Sequence, residues 1–121
     1  MVPFGQLTYY YDGNIYTCDE GRMLSEMGND SFNLGNVFKD TYETLMSSDT
    51  TKAMCISSCL ECNLACNNCV YSPYCGTCPV INLAQDNNIY VESPKEFRCK
   101  IYGGMLDILF DELEKNLVKK Y

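Results

Sequence analysis

The sequence predicts a small α+β domain. Three observations carry that prediction: strand-prone runs on either side of Asp12-Gly13, helical periodicity toward the C-terminal end, and a cysteine-dense stretch between them. The 121 residues fit one compact unit, since single domains commonly run about 100 to 150 residues. Hydrophobic residues make up 46% of the chain, too many for a disordered segment, and nine cysteines in so short a length approach the density at which cross-links hold a fold.

The first element is a β-hairpin. Leu7-Thr8-Tyr9-Tyr10-Tyr11 and Ile15-Tyr16-Thr17 are β-prone, and the intervening Asp12-Gly13-Asn14 contains Asp-Gly, a type I′ turn signal because glycine tolerates positive φ. The hairpin delivers Cys18. Ser31 to Asn36 reads as a further extended run ending in a turn. After it, Val37, Phe38, Tyr42, Leu45 and Met46 are spaced for a helix over Val37 to Ser47.

At the far end, Ser93-Pro94-Lys95-Glu96 has the residues of a capping box with proline at the first helical position, so a helix is expected to begin there. Ile101, Met105, Ile108, Leu109, Leu113 and Leu117 continue it, and Gly103-Gly104 threatens to kink it at about 1 kcal/mol per glycine relative to alanine. Leu106, Phe110 and Val118 widen the apolar face enough to suggest packing against something beyond the domain itself. The chain thus divides into a hairpin-and-helix start over 1–54, a cysteine-rich region over 55–99 and a C-terminal helix over 100–121, all one domain.

Charge and composition exclude several functions. A formal charge of −7 opposes binding to nucleic acid, and the absence of histidine removes histidine-based triads, two-cysteine two-histidine zinc fingers and the commonest general base. No apolar run approaches the ~20 residues that span a bilayer, so no membrane partner is expected. Met1 to Gly5 lead directly into the strand pattern without the features of an export signal, and a cytoplasmic location is the expectation. Asp19, Glu20, Asp107, Asp111 and Glu112 read as solvated carboxylates, and none is assigned a catalytic role.

Seven cysteines lie between Cys55 and Cys78, and the middle of this stretch holds the most specific pattern: Cys66-x2-Cys69, five residues, then Cys75-x2-Cys78. Two residues between thiolates let a tight turn aim both sulfurs at one ion or cluster, and Gly76 suits such a turn. The expectation is therefore a metal-stabilised domain. By spacing alone a structural zinc site of four cysteines leads over an iron–sulfur cluster. A disulfide framework fits poorly, because nine is odd and Cys-x-x-Cys in a reducing compartment serves metal or redox chemistry. Neither pair stands at a helix start within a strand-helix-strand unit, which argues against a thioredoxin-like role. Tyr71 and Tyr74 flank the loop and read as packing covers, with substrate contact or tuning of the site as the alternative.

Two spacings, Cys55-Cys59-Cys62 and Cys62-Cys66-Cys69, read Cys-x3-Cys-x2-Cys, the arrangement of the catalytic cluster of radical S-adenosylmethionine enzymes. That assignment is set aside, because the motif sits mid-chain in a sequence too short for barrel strands and helices.

The order of motifs resembles a different module of those enzymes, the SPASM domain at the C-terminal end of many members that modify peptides or proteins. The matching pieces are Asp12-Gly13-Asn14-Ile15-Tyr16-Thr17-Cys18-Asp19, Asn33-Leu34-Gly35-Asn36-Val37, the Cys66 to Cys78 segment, and Arg98-Cys99. The resemblance implies [4Fe-4S] clusters as cofactors. Cys66, Cys69, Cys75 and Cys99 would hold one, and Cys18 and Cys78 would supply half the ligands of another, with Cys62 a weaker candidate to help complete it and the rest expected upstream of Met1. It further implies a radical S-adenosylmethionine barrel, in cis or in trans, as partner, a peptide or protein as substrate, and no activity for this chain alone. Two departures stand out: the last pair is spaced x2 instead of the family's x3, and Cys55, Cys59 and Cys62 are surplus to its pattern. A structural zinc-binding module for protein interaction is the rival reading, and zinc can also replace iron in protein prepared in air.

Overall fold

The computed structural model describes residues 5–90 and 97–118. It is an α+β arrangement of a three-stranded antiparallel sheet with helices. Strands β1 (Thr8–Tyr9), β2 (Asn14–Tyr16) and β3 (Asn33–Asn36) lie in that order, so β2 is central. The register sets Thr8 opposite Tyr16 and Tyr9 opposite Ile15, while Asn14 and Ile15 face Asn36 and Gly35.

The hairpin forms where expected, but its turn differs. The N–H of Gly13 donates to the Tyr10 carbonyl at 3.0 Å and the N–H of Tyr10 to the Asn14 carbonyl at 2.9 Å, leaving a three-residue loop. Gly13 takes φ +86, and Asp12 is not in the left-handed region that a type I′ turn requires of both central residues. The cause is local: Asp12 turns its carboxylate onto the backbone and side-chain nitrogens of Asn14 at 2.9 and 2.7 Å. The glycine is needed for a second reason, because a Cβ there would meet the Phe38 ring at 2.7 Å.

Helix α1 (Asp19–Glu26) follows β2 directly, with Cys18 as its N-cap and Asp19 and Glu20 in its first turn. It stops at Gly28, which takes φ +94 and donates to the Ser25 carbonyl. The helix expected over Val37 to Ser47 is shorter than the periodicity suggested. Residues after β3 turn back on the Asn36 carbonyl, and α2 (Tyr42–Ser47) begins only at its Thr41 cap. Ser48, in extended geometry, ends α2 and caps α3 (Asp49–Ser58) by accepting the Thr51 N–H at 3.2 Å. A short 3-10 turn over Leu60–Cys62 leads into the cysteine loop. Helix α4 (Pro79–Asp86) starts with proline at its first turn and ends at Asn87, which adopts φ 54 in the left-handed region.

The last helix, α5 (Phe97–Val118), runs unbroken through Gly103 and Gly104 for 22 residues, about 33 Å at 1.5 Å per residue. Of the two outcomes expected, one long helix or a broken one, the long one forms: neither glycine adopts positive φ and the helix is continuous across both. The Ser93 to Glu96 capping box falls outside the described residues.

Three small buried clusters hold these elements. Ile15, Leu34 and Leu45 join β2, β3 and α2, with Leu7 and Met46 against them. Cys18, Leu24, Phe32, Met54 and Val80 join α1, α3 and α4, with Cys78, Leu83 and Ile89 alongside. The third consists of Leu60 and Cys66, with Ala65, Cys75 and Cys99 packed around them. Sulfur therefore forms part of the second cluster and most of the third. No helix among the described residues is long and apolar enough to cross a membrane.

Gly35 ties the sheet to the first cluster. It takes φ +148, and a Cβ there would meet Asp40 Oδ2 at 2.6 Å and Leu45 Cδ2 at 2.8 Å. Asp40 is held there by the Asn36 N–H at 2.8 Å. Gly35→Ala is expected to cost about 1–3 kcal/mol in urea unfolding, whereas Gly76→Ala, with open space around its Cβ, should change stability by no more than about 0.5 kcal/mol.

Candidate metal centre

The cysteine loop is a succession of tight turns. The N–H of Cys62 donates to the Cys59 carbonyl, that of Cys66 to Asn63, that of Cys69 to Cys66, and that of Cys75 to Tyr71, all at 2.9–3.0 Å. The Cys66-x2-Cys69 pair is thus closed by its own turn, the geometry that the spacing anticipates. Gly76 plays a lesser part than expected: it is not in the left-handed region and has open space around its Cβ, so no conformational demand selects glycine there. Its N–H does act on the Cys75 sulfur, as a turn amide beside a thiolate would.

Helix α5 returns Cys99 to this loop. Its Phe110 ring stacks on Tyr71 at a centroid distance of 6.2 Å and meets Tyr74 edge-on at 5.0 Å, and the Tyr71 hydroxyl donates to the Asp107 carboxylate. That carboxylate raises the Tyr71 pKa. Near the start of α5, Arg98 reaches Asp86 at the end of α4, with nitrogen and oxygen 3.8 Å apart. Tyr71 and Tyr74 thus both pack on Phe110 of α5, Tyr74 while 65% exposed, and Asp107 accepts the hydrogen bond of Tyr71. Tyr74, Cys75 and Gly76 also line a cavity of about 250 Å3 with Tyr102, Met105, Leu106 and Leu109 of α5.

Two groups of the sequence-selected cysteines come together. Cys66, Cys75 and Cys99 surround Leu60. Cys69 lies on the turn beside them, close enough for its charge to raise the Cys75 thiol, though burial is the larger cause. Cys66 is buried, Cys75 and Cys99 half-buried and Cys69 exposed. The second group is Cys18 with Cys78 in the cluster around Phe32 and Met54. These two residues are the N-caps of α1 and α4, helices that pack against each other, so both sulfurs sit at the positive ends of helix dipoles. The Cys18 sulfur accepts from the Gly21 N–H at 3.4 Å and from the Thr17 hydroxyl at 3.7 Å. Burial nonetheless pushes its thiol up, outweighing those two donors.

The remaining cysteines are Cys55, Cys59 and Cys62, the last two at either end of the short turn that carries Leu60. Cys55 is half-buried on α3. Cys62 is exposed and its sulfur lies 3.5 Å from that of Cys59, whose own thiol donates to Glu61 at 3.3 Å. The contact with Cys62, then that with Glu61, raises the Cys59 thiol. No cysteine pair among the described residues is joined in a disulfide.

Among the described residues no group of three or more cysteine or carboxylate side chains is drawn in to metal-ligating geometry. The surroundings nevertheless fit a sulfur-rich inorganic group. Asn63 Nδ2 and Thr77 Oγ1 are buried without a hydrogen-bond partner, one on the turn that receives the Cys66 N–H and the other between Cys75 and Cys78. Unpaired buried donors cost about 1–3 kcal/mol each, and sulfide or thiolate sulfur is an acceptor that would relieve them. The position of Cys78 and Cys18 at paired helix starts, and the two orphaned donors, were beyond sequence reasoning. Cys78-Pro79 followed by Asn87 was the available signal for α4.

Comparison with family models, with curated proteins and with solved structures gives no match to this chain.

Because burial raises both Cys18 and Cys75 above the ordinary thiol value of 9.0, their protonated forms favour the fold. That contribution is complete below the unfolded thiol pKa and is lost as pH climbs through the folded values. Metal-free protein should therefore lose stability above pH about 9 in denaturant titrations, and the double variant Cys18→Ala/Cys75→Ala should show a flatter profile.

Proposed function

We propose that this chain is an auxiliary iron–sulfur domain of the SPASM type, working with a radical S-adenosylmethionine barrel in cis or in trans on a peptide or protein substrate. The observation that carries the reading is the partition of its cysteines. The resemblance divides them by sequence position into Cys66, Cys69, Cys75 and Cys99 on one side and Cys18 and Cys78 on the other; Cys66, Cys75 and Cys99 share one cluster and Cys18 and Cys78 another, while Cys69 is exposed on the turn that its N–H closes onto Cys66.

In this reading Cys66, Cys69, Cys75 and Cys99 would hold one [4Fe-4S] cluster, and Cys18 and Cys78 would contribute to a second. Such a cluster supplies one-electron chemistry at a potential set by burial and by hydrogen bonds to its sulfurs. The chain's own residues do the rest. Asn63, Thr77 and the Gly76 N–H offer donors to sulfur, Tyr71 and Tyr74 close the loop against α5, and the cavity beside Cys75 gives an apolar wall to one side of it. The resemblance leaves Cys62 as a weaker candidate to help complete the Cys18 and Cys78 site, with its sulfur beside that of Cys59, and Cys55 is surplus.

Thin apolar packing supports a role for ligation in the fold itself. The third cluster has Leu60 as its one fully buried residue other than cysteine among the described residues. A domain of this size with so little core gains stability from a bound metal group.

Anaerobic reconstitution with iron and sulfide tests the proposal. About four irons and four sulfides per filled site are expected, with brown charge-transfer absorption. Cys75→Ala should remove the iron of its site, while Cys55→Ala should leave the count unchanged. Stoichiometric zinc in anaerobically isolated protein, with no iron uptake on reconstitution, would instead favour a structural zinc module.

A further inference from the structure

The turn between α3 and the cysteine loop, Cys59-Leu60-Glu61-Cys62, is a further Cys-x2-Cys pair. Its backbone is fixed on both sides. Helix α3 ends at Cys59, whose N–H donates to the Ile56 carbonyl at 3.1 Å, and the Cys62 N–H closes the turn onto the Cys59 carbonyl at 3.0 Å. The Asn63 N–H then donates to the Leu60 carbonyl at 3.1 Å. Leu60, 6% exposed, is buried against Cys66 with Cys75 and Cys99 around it, whereas Cys59 and Cys62 are not members of that cluster. Burying the leucine leaves the two cysteines toward solvent: Cys62 is exposed and Cys59 half-buried.

The two sulfurs are 3.5 Å apart. The Cys62 thiol donates to the Cys59 sulfur, and the Cys59 thiol donates to the Glu61 carboxylate at 3.3 Å. A [4Fe-4S] cluster takes one thiolate at each iron with sulfide between the irons, so its ligands stand apart around it. Thiols already in contact across a two-residue turn are instead arranged for closure to a disulfide. The turn holds the second thiol beside the first, which makes closure an intramolecular step at high effective concentration. A disulfide at an exposed position is also the labile, exchangeable kind.

We propose that Cys59 and Cys62 are a redox-active dithiol that closes reversibly to a disulfide by exchange with a small-molecule disulfide such as oxidised glutathione. Cys62, the more exposed, attacks one sulfur of the oxidant as its thiolate, which breaks the oxidant's S–S bond, forms a mixed disulfide and releases the first thiolate. Cys59 then attacks the Cys62 sulfur, forms the intramolecular bond and expels the second. The two cysteines lose two electrons and two protons, and the oxidant leaves as two thiols. The assignment gives Cys62 to Cys59 instead of to the Cys18 and Cys78 site and asks nothing else of the iron–sulfur reading. Because the pair brackets Leu60, closing it fixes the turn that packs on Cys66.

Thiol mapping of the full chain tests this. Protein isolated anaerobically and kept reduced is equilibrated with graded ratios of oxidised to reduced glutathione, quenched in acid, alkylated and digested with a protease that cuts after glutamate. Cleavage after Glu61 puts Cys59 and Cys62 on separate peptides, joined only when a disulfide bridges them, and fragmentation of the joined pair places the bridge. The Cys59 to Cys62 bond is expected to form before any other, in metal-free and iron-loaded protein alike, and to reopen with dithiothreitol. Cys59→Ser should instead trap one glutathione on Cys62, and Cys55→Ser should leave the bridge intact. A different pair that oxidises first in the wild type overturns the proposal. So does a Cys62 that iron or zinc loading withholds from the reagent, or a Cys59→Ser chain that retains no glutathione there.

Discussion

Sulfur atoms stand in two of the three buried clusters that join the elements of this fold. Cys66, Cys75 and Cys99 come from a tight-turn loop and a distant helix yet pack around one leucine, and Cys18 and Cys78 come from opposite ends of the central region yet share one buried cluster. Apolar contact is thin at the first of these meeting points, where Leu60 is the one buried residue other than cysteine among the described residues, whereas Leu24, Phe32, Met54 and Val80 support the second. A fully buried leucine contributes roughly 1.5–3 kcal/mol, less than the ordering of a long loop of turns costs. Ligation of the thiols by a common inorganic group would offset that cost, and Asn63 and Thr77 carry buried donors without a partner in the same stretch of chain.

The remaining elements serve to fix those sulfurs. The hairpin and β3 make a small sheet whose Gly13 and Gly35 admit Phe38, Asp40 and Leu45 at distances no side chain would allow. That sheet leads to Cys18, which opens α1 and shares a buried cluster with Cys78, the residue that opens α4. Asp107 and Phe110 hold α5 over Tyr71 and Tyr74, and the same helix returns Cys99 to the loop.

Strong local chemistry was legible in the sequence. The Asp12-Gly13 hairpin, the extended run at Asn33 to Asn36 and the long C-terminal periodicity all form, because each is governed by near neighbours. The turn type at Asp12 was misjudged because a side-chain hydrogen bond to Asn14 competes with the backbone preference. Helices α1, α3 and α4 escaped notice for a different reason: they are short, and their buried faces are completed by residues from other elements, such as Phe32 and Met54 against Leu24 and Val80. Their caps, Ser48 and Cys78-Pro79 among them, were visible but carry little weight without periodicity behind them. Spacing marked the cysteine-rich loop and the resemblance alone implied a division of its cysteines, whereas the orphaned donors and the helix-start placement of Cys18 and Cys78 arise only from tertiary contact.

The central claim is that the thiols of Cys66, Cys69, Cys75 and Cys99 bind one iron–sulfur cluster, and Mössbauer spectroscopy of protein isolated anaerobically from cells grown on iron-57 addresses it most directly. The account predicts the quadrupole doublet of a [4Fe-4S] cluster in the wild type, with the signal of that site lost in Cys99→Ala while the Cys18 and Cys78 region is undisturbed. Wild-type protein that is fully folded and carries no iron would contradict it.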